Sequence, residues 1–162
     1  MIVRQIAFWV LAGLSAISAL FVVLTRNVVH AALGLAAALV AAAGLFILFG
    51  AEFVGLAQIL IYVGAVVILF LFGIMLTSTA PGRPVVDNQQ KGMAFLVAVG
   101  VFVVLAIGIV AAYGRRPLRL EVAFATSGLG NALFTQWILP FEAVSVLLLA
   151  ALVGAIVLAR KD

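Results

Sequence analysis

Five side chains in this sequence can bind, titrate or order water while lying in or beside long apolar runs: His30, Glu52, Gln58, Tyr62 and Glu142. Gln58 and Tyr62 are four apart, a spacing that puts two side chains on one face of a helix. Val63 and Gly64 follow directly. A glycine inside a helix lowers helix propensity by about 1 kcal/mol relative to alanine, so Tyr62-Val63-Gly64 marks a weak point. Two arrangements are open there. One is an ordinary α-helix in which the Tyr62 hydroxyl donates to a neighbouring carbonyl. The other is a π-bulge, a distortion that concentrates at functional sites. Gly55, Gly64 and Gly73 recur every nine residues, or 2.5 turns, and so do not form one close-packing face.

Glu142 is the one acid clearly inside an apolar run, which makes it a candidate for proton handling or subunit contact. It follows Pro140 by two residues, so capping of orphan N–H groups at a helix start is the competing reading. Glu52 precedes another apolar run and suits the positive end of that helix dipole. His30 falls in the first turn of its run, near the membrane surface, where it faces a partner or headgroups or serves a proton relay.

No other grouping supplies a reaction. There is no phosphate-binding loop and no nucleophile–base pair with a third orienting group. Cysteine is absent, which excludes disulfides, thiolate sites and iron–sulfur ligation in this chain, and a single histidine excludes His-rich metal sites. Gly128 and Gly130 lack a third glycine and a preceding strand, so they belong to a loop rather than a dinucleotide site. No catalytic, cofactor-binding or metal-ligating residue is therefore expected.

The elements that must carry these residues follow from composition. Apolar residues are 68% of the chain and charged residues 9%, against about 45–50% and about 25% in soluble domains. Nine basic and five acidic residues cannot clothe a water-facing surface. At roughly 20 residues per span, 162 residues allow about five spans and short loops, with no room for an appended catalytic domain. The basic balance is spread as residues flanking the runs, which argues against nucleic-acid binding.

The apolar runs are 5–24, 28–49, 53–76, 93–113 and 140–159, the last of which holds Glu142, and they are separated by a polar loop at 77–92 and an interfacial loop at 114–139 that has room for a short helix. The first run exceeds the roughly 7–15 residues of a signal-peptide core and is followed at once by another run, which favours a retained span. Asn27 is a suitable N-cap and Gly50 a suitable left-handed terminator for the second run. That run holds eight Ala and two Gly among the 14 residues from Ala31 to Gly44, the composition of a close helix–helix contact, internal or with partner subunits. None of the runs alternates polar and apolar residues as a β-barrel strand would. Backbone groups in lipid must be satisfied within the segment, so the fold class is an all-α, five-span membrane protein forming one domain. Basic residues divide four against five between the two sides, which sets no orientation.

From Ala51 to Phe72 the sequence AEFVGLAQILIYVGAVVILFLF resembles the third transmembrane helix of the subunit J family of proton-pumping NADH–quinone oxidoreductase, respiratory complex I, the bacterial counterpart of the mitochondrial ND subunit six. Arg26-Asn27-Val28-Val29-His30-Ala31 is similar to that family's start of the second helix. Phe141-Glu142, Ser145, Leu147-Leu148-Leu149 and Gly154-Ala155 are similar to its last helix. The resemblance implies a core membrane subunit that holds no FMN, iron–sulfur cluster or quinone of its own, those groups lying in other subunits. It implies neighbours: the quinone-chamber subunit, subunit K and antiporter-like subunits, in the bacterial inner membrane with the N-terminus outside and the C-terminus in the cytoplasm. It also implies a third helix that switches between α and π forms near Tyr62, Val63 and Gly64, with Gln58, and so opens or closes a water path. Val28 stands where the family often has proline, and Gln58 where some members have an acid; a neutral amide orients water but does not titrate. A homologous hydrogenase or multisubunit cation-antiporter subunit, or a structural scaffold, would share the same bundle.

Overall fold

The computed structural model describes residues 2–77, 90–114 and 126–160, and in these every regular element is helical. Helix α1 is Ile2–Leu24 and α2 is Val28–Leu48. The third span is one continuous rod of three parts: α3 at Glu52–Ala57, a π-helical segment at Gln58–Val67, and α4 at Ile68–Leu76. Helix α5 is Lys91–Tyr113, α6 is the short Thr126–Thr135, and α7 is Ile138–Ala159. Five rods are long and apolar enough to cross a membrane. The first begins earlier than the charge-free run, taking Arg4 into its first turn, and the fifth begins at Ile138 rather than Pro140. Residues 78–89 and 115–125 of the two expected loops lie outside the described residues. The rest of the second loop contributes α6, which carries Ser127 to Asn131 in helical form.

The turn between α2 and α3 is specified locally. Gly50 adopts φ 82°, where a side chain would be strained. The Gly50 N–H donates to the Ile47 carbonyl and the Ala51 N–H to the Phe46 carbonyl, the paired bonds of a Schellman terminus. At the other end of α2, the Asn27 side chain accepts from the backbone N–H groups of Val29 at 3.0 Å and His30 at 3.4 Å. Arg4 reaches from the first turn of α1 to donate to the Leu48 carbonyl at 2.7 Å, satisfying an orphan acceptor at the end of α2 with a charged donor. Hydroxyls further along are turned inward on their own helices. Thr77, Thr135 and Ser145 each donate to the carbonyl four residues back, at 2.7, 2.7 and 2.9 Å.

Packing is made by small residues. The buried apolar positions among the described residues are Ala32, Ala41, Ala43 and Val67, and no large side chain is fully enclosed. Helix α2 sits between α1 and the third span. Added Cβ atoms show how tight these contacts are. One at Gly34 would lie 2.8 Å from the Phe21 ring, and one at Gly44 2.9 Å from Leu11. One at Gly55 would meet Ile47 at 2.6 Å and the backbone oxygen of Ala43 at 2.9 Å. Lipid gives helices no hydrophobic reason to associate, so such close approach supplies the cohesion. Helices α5 and α7 are different: none of either span is buried, and α7 packs chiefly on α6, where Phe134 and Phe141 meet edge to face at 5.2 Å.

Gly55→Ala should lower the melting temperature of the detergent-extracted protein, because the new methyl meets a backbone oxygen that cannot rotate away; overpacking of this kind costs about 1–3 kcal/mol. Gly73→Ala has open space around its methyl and should be neutral or slightly stabilising. Thermal unfolding followed by circular dichroism compares the two, and equal melting temperatures would remove Gly55 from the packing argument.

Candidate functional site

The feature that departs most from regular structure lies in the middle of the third span. Over Gln58–Val67 the backbone runs in the i→i+5 pattern, bounded by α-helical residues on both sides. The local sequence weakens the α alternative. Ile59, Ile61, Val63, Val66 and Val67 are β-branched, and Gly64 interrupts them. Tertiary packing supplies the second cause. Gly55 lies against α2, and Val67 is 3% exposed. Twelve residues of regular α-helix would put Val67 about 120° around the axis from Gly55. The wider π turns bring it back toward the bundle. Gln58, Val63 and Val67 are the least exposed positions of the segment, spaced by five and four as a π turn requires.

Within this segment the structure brings together the four residues expected to act jointly. Gln58 opens it and is half-buried; Tyr62 lies near mid-span, half-exposed; Val63 is half-buried and Gly64 exposed. The Tyr62 hydroxyl makes no hydrogen bond among the described residues, nor does the Gln58 amide, so the ordinary-helix arrangement with an internally bonded tyrosine is not the one adopted. A Cβ at Gly64 would lie 3.4 Å from the Ile59 carbonyl oxygen, an ordinary contact. Gly64 is therefore not sterically required in the π form, and its effect is through propensity.

The other candidates stand apart. Glu52 is the first residue of α3, exposed, at the same end of the bundle as Arg4 and Gly50. Ala51, not Glu52, occupies the cap position, and no side chain caps it. His30 is exposed in the first turn of α2 at the opposite end. Glu142 is exposed on α7. Because α7 starts at Ile138, the carboxylate falls beyond the first turn and accepts none of its N–H groups, so the capping reading of Glu142 does not hold. Helix α7 packs on none of the first three spans to any extent, and Glu142 is not brought to Tyr62. Arg4, one of the basic residues flanking the runs, also makes a contact that the sequence does not give, its bond to the Leu48 carbonyl. The signal available was its position in the first turn of a span whose neighbour ends at the same face.

Comparison with known proteins gives one consistent result. The family model described as NADH-ubiquinone/plastoquinone oxidoreductase chain 6 matches residues 18–158. The chain is 39% identical over 162 residues to NAD(P)H-quinone oxidoreductase chain 6 of Leptolyngbya boryana, covering 99% of this chain and 81% of that protein. It is 37% identical over 163 residues to the F(420)H(2) dehydrogenase subunit J of Methanosarcina mazei, covering 96% and 90%. With NADH-quinone oxidoreductase subunit J of Rhodobacter capsulatus the identity is 36% over 172 residues, covering 99% and 84%.

Tyr62→Phe removes a hydroxyl that has no hydrogen-bond partner among the described residues, so thermal stability should stay within about 0.5 kcal/mol of the parent. A clear fall in melting temperature would mean the hydroxyl is satisfied within the fold.

Proposed function

The chain belongs to the NADH-ubiquinone/plastoquinone oxidoreductase chain 6 family, and from that premise we propose that it couples quinone reduction elsewhere in a complex to proton translocation by a change of helical register in its third span. It is a multi-pass membrane subunit of a quinone oxidoreductase complex. The observation that carries the coupling reading is the π-helical segment at mid-span with Tyr62 and Gly64 inside it. A π-helix can return to α by shifting each backbone bond one residue, so no polar group is stranded in lipid at the end states. Residues after the segment would swing about the axis by about 100° for each residue of register regained. Such a swing would move Val67 off α2 and change which side chains border the Gln58–Tyr62 region. Gln58 and Tyr62 would order water there, opening or closing a path for protons held by other subunits. Gln58 is a neutral amide that orients water but does not titrate, so the role proposed for it is in gating the path.

The remaining assignments follow the same premise. With no cysteine and one histidine, this chain has nothing to ligate an iron–sulfur cluster, and FMN, clusters and quinone belong to other subunits. The quinone-chamber subunit, subunit K and the antiporter-like subunits would cover α5 and α7, whose spans have no burial of their own. Glu142, exposed on α7, fits a contact with such a neighbour, while Glu52 and His30 mark the two membrane faces. The site is a bacterial inner membrane, with the N-terminus outside. The relatives' names include NAD(P)H, NADH and F(420)H(2), which favours a reading in which the electron donor is chosen by other subunits and this one serves them alike.

Gly64→Val should leave the complex assembled while reducing coupled turnover severalfold, since a β-branched residue alters the balance of helical forms at the weak point. Quinone reductase activity and proton pumping in membranes carrying the variant test this; parental rates with full pumping would end the register-switch reading. Glu142→Gln should reduce the neighbouring subunits recovered with this one after mild detergent extraction. Unchanged recovery would remove the contact role.

A further inference from the structure

The second and third spans meet closely at one end and part at the other. Near Gly55 they touch through backbone, and packing stays dense along the π-helical segment, then thins over α4. The parting leaves a groove of about 1360 Å³ between the start of α2 and the length of α4. Its walls are apolar, with Val28 and Val29 on one side and Phe70, Phe72 and Met75 on the other, and its mouth holds Arg26. No acidic residue among the described residues lines it. Arg26 is exposed and has no ion pair or hydrogen bond among the described residues. The Asn27 Oδ1 accepts from the N–H groups of Val29 and His30, and the Arg26 guanidinium is the charged group of the lining among the described residues.

From this geometry we propose that the groove is a binding site for an anionic phospholipid, with its phosphate on Arg26 and an acyl chain laid along α4 toward Phe70. The planar guanidinium matches a phosphate with two parallel hydrogen bonds. Arg26 follows the last residue of α1 and precedes the first of α2, which sets it at the headgroup level of a bilayer. Basic pockets between membrane helices hold lipid headgroups in this manner. The bilayer presents phosphate at that depth, complementary in charge to Arg26. The proposal does not rest on the coupling reading, because it is argued from the groove and the charge at its mouth in the form described, and lipid labelling tests it without a pumping assay.

The test uses the whole complex in its membranes, labelled with a phosphatidylglycerol analogue carrying a photoreactive diazirine in its acyl chain. Peptides from this chain are then mapped by mass spectrometry. The label should fall on residues 68–76, compete with unlabelled phosphatidylglycerol but not with phosphatidylcholine, and drop by about tenfold in Arg26→Gln, as loss of one charge-assisted contact implies. Arg26→Lys, which keeps the charge without the planar fork, should recover part of it. Equal labelling in Arg26→Gln, or equal competition by both lipids, overturns the proposal. So does a photoreactive residue placed at Phe72 that captures a neighbouring polypeptide and no lipid.

Discussion

The approach of Gly55 to the Ala43 carbonyl fixes where the third span sits, and much of the architecture follows from it. Between two apolar rods in lipid there is no hydrophobic force to exploit, so cohesion depends on how near the backbones come. The alanine-rich face of α2 permits that approach on two sides, to α1 through Gly34 and Gly44 and to the third span through Ala43. The helix ends are held at the same time: Gly50 turns the chain sharply and Arg4 bonds the Leu48 carbonyl. The base of the third span is thus pinned, and any departure from regular helix must be absorbed further along.

The π-helical segment absorbs it. Every N–H and C=O there must find a partner within the rod, because lipid offers none. An i→i+5 ladder meets that condition as the i→i+4 ladder does, at a modest cost in geometry. The β-branched residues around Gly64 reduce what the α form would gain, and Val67 gains a place against the bundle. A second, α-helical form close in free energy to this one is what the proposed switch requires. The groove beside α4 comes from the same departure, since the span that is tight at Gly55 is loose beyond Val67.

Much of this could be read from residues alone. Asn27 and Gly50 act as their types require, and the five apolar runs became five rods. The weak point at Tyr62–Gly64 was legible because glycine and β-branched propensity are local properties. The length of the π segment was not, since it depends on Gly55 and Val67 sharing a partner that only the folded chain supplies. The bond of Arg4 was illegible for a similar reason: its acceptor lies 44 residues away. The capping reading of Glu142 failed because Pro140 drew the helix start two residues too late, past the apolar Ile138-Leu139.

Helices α5 and α7 give this chain an unusual dependence on company. Two spans with no burial contribute little to holding the polypeptide in one shape, so neighbours that cover them would stabilise its native form by mass action. Made in excess, it would linger as an orphan, open to quality-control proteases and to wrong pairings along both naked rods. The cell's stock of this subunit would then be set less by its own rate of synthesis than by the scarcest protein that clasps it.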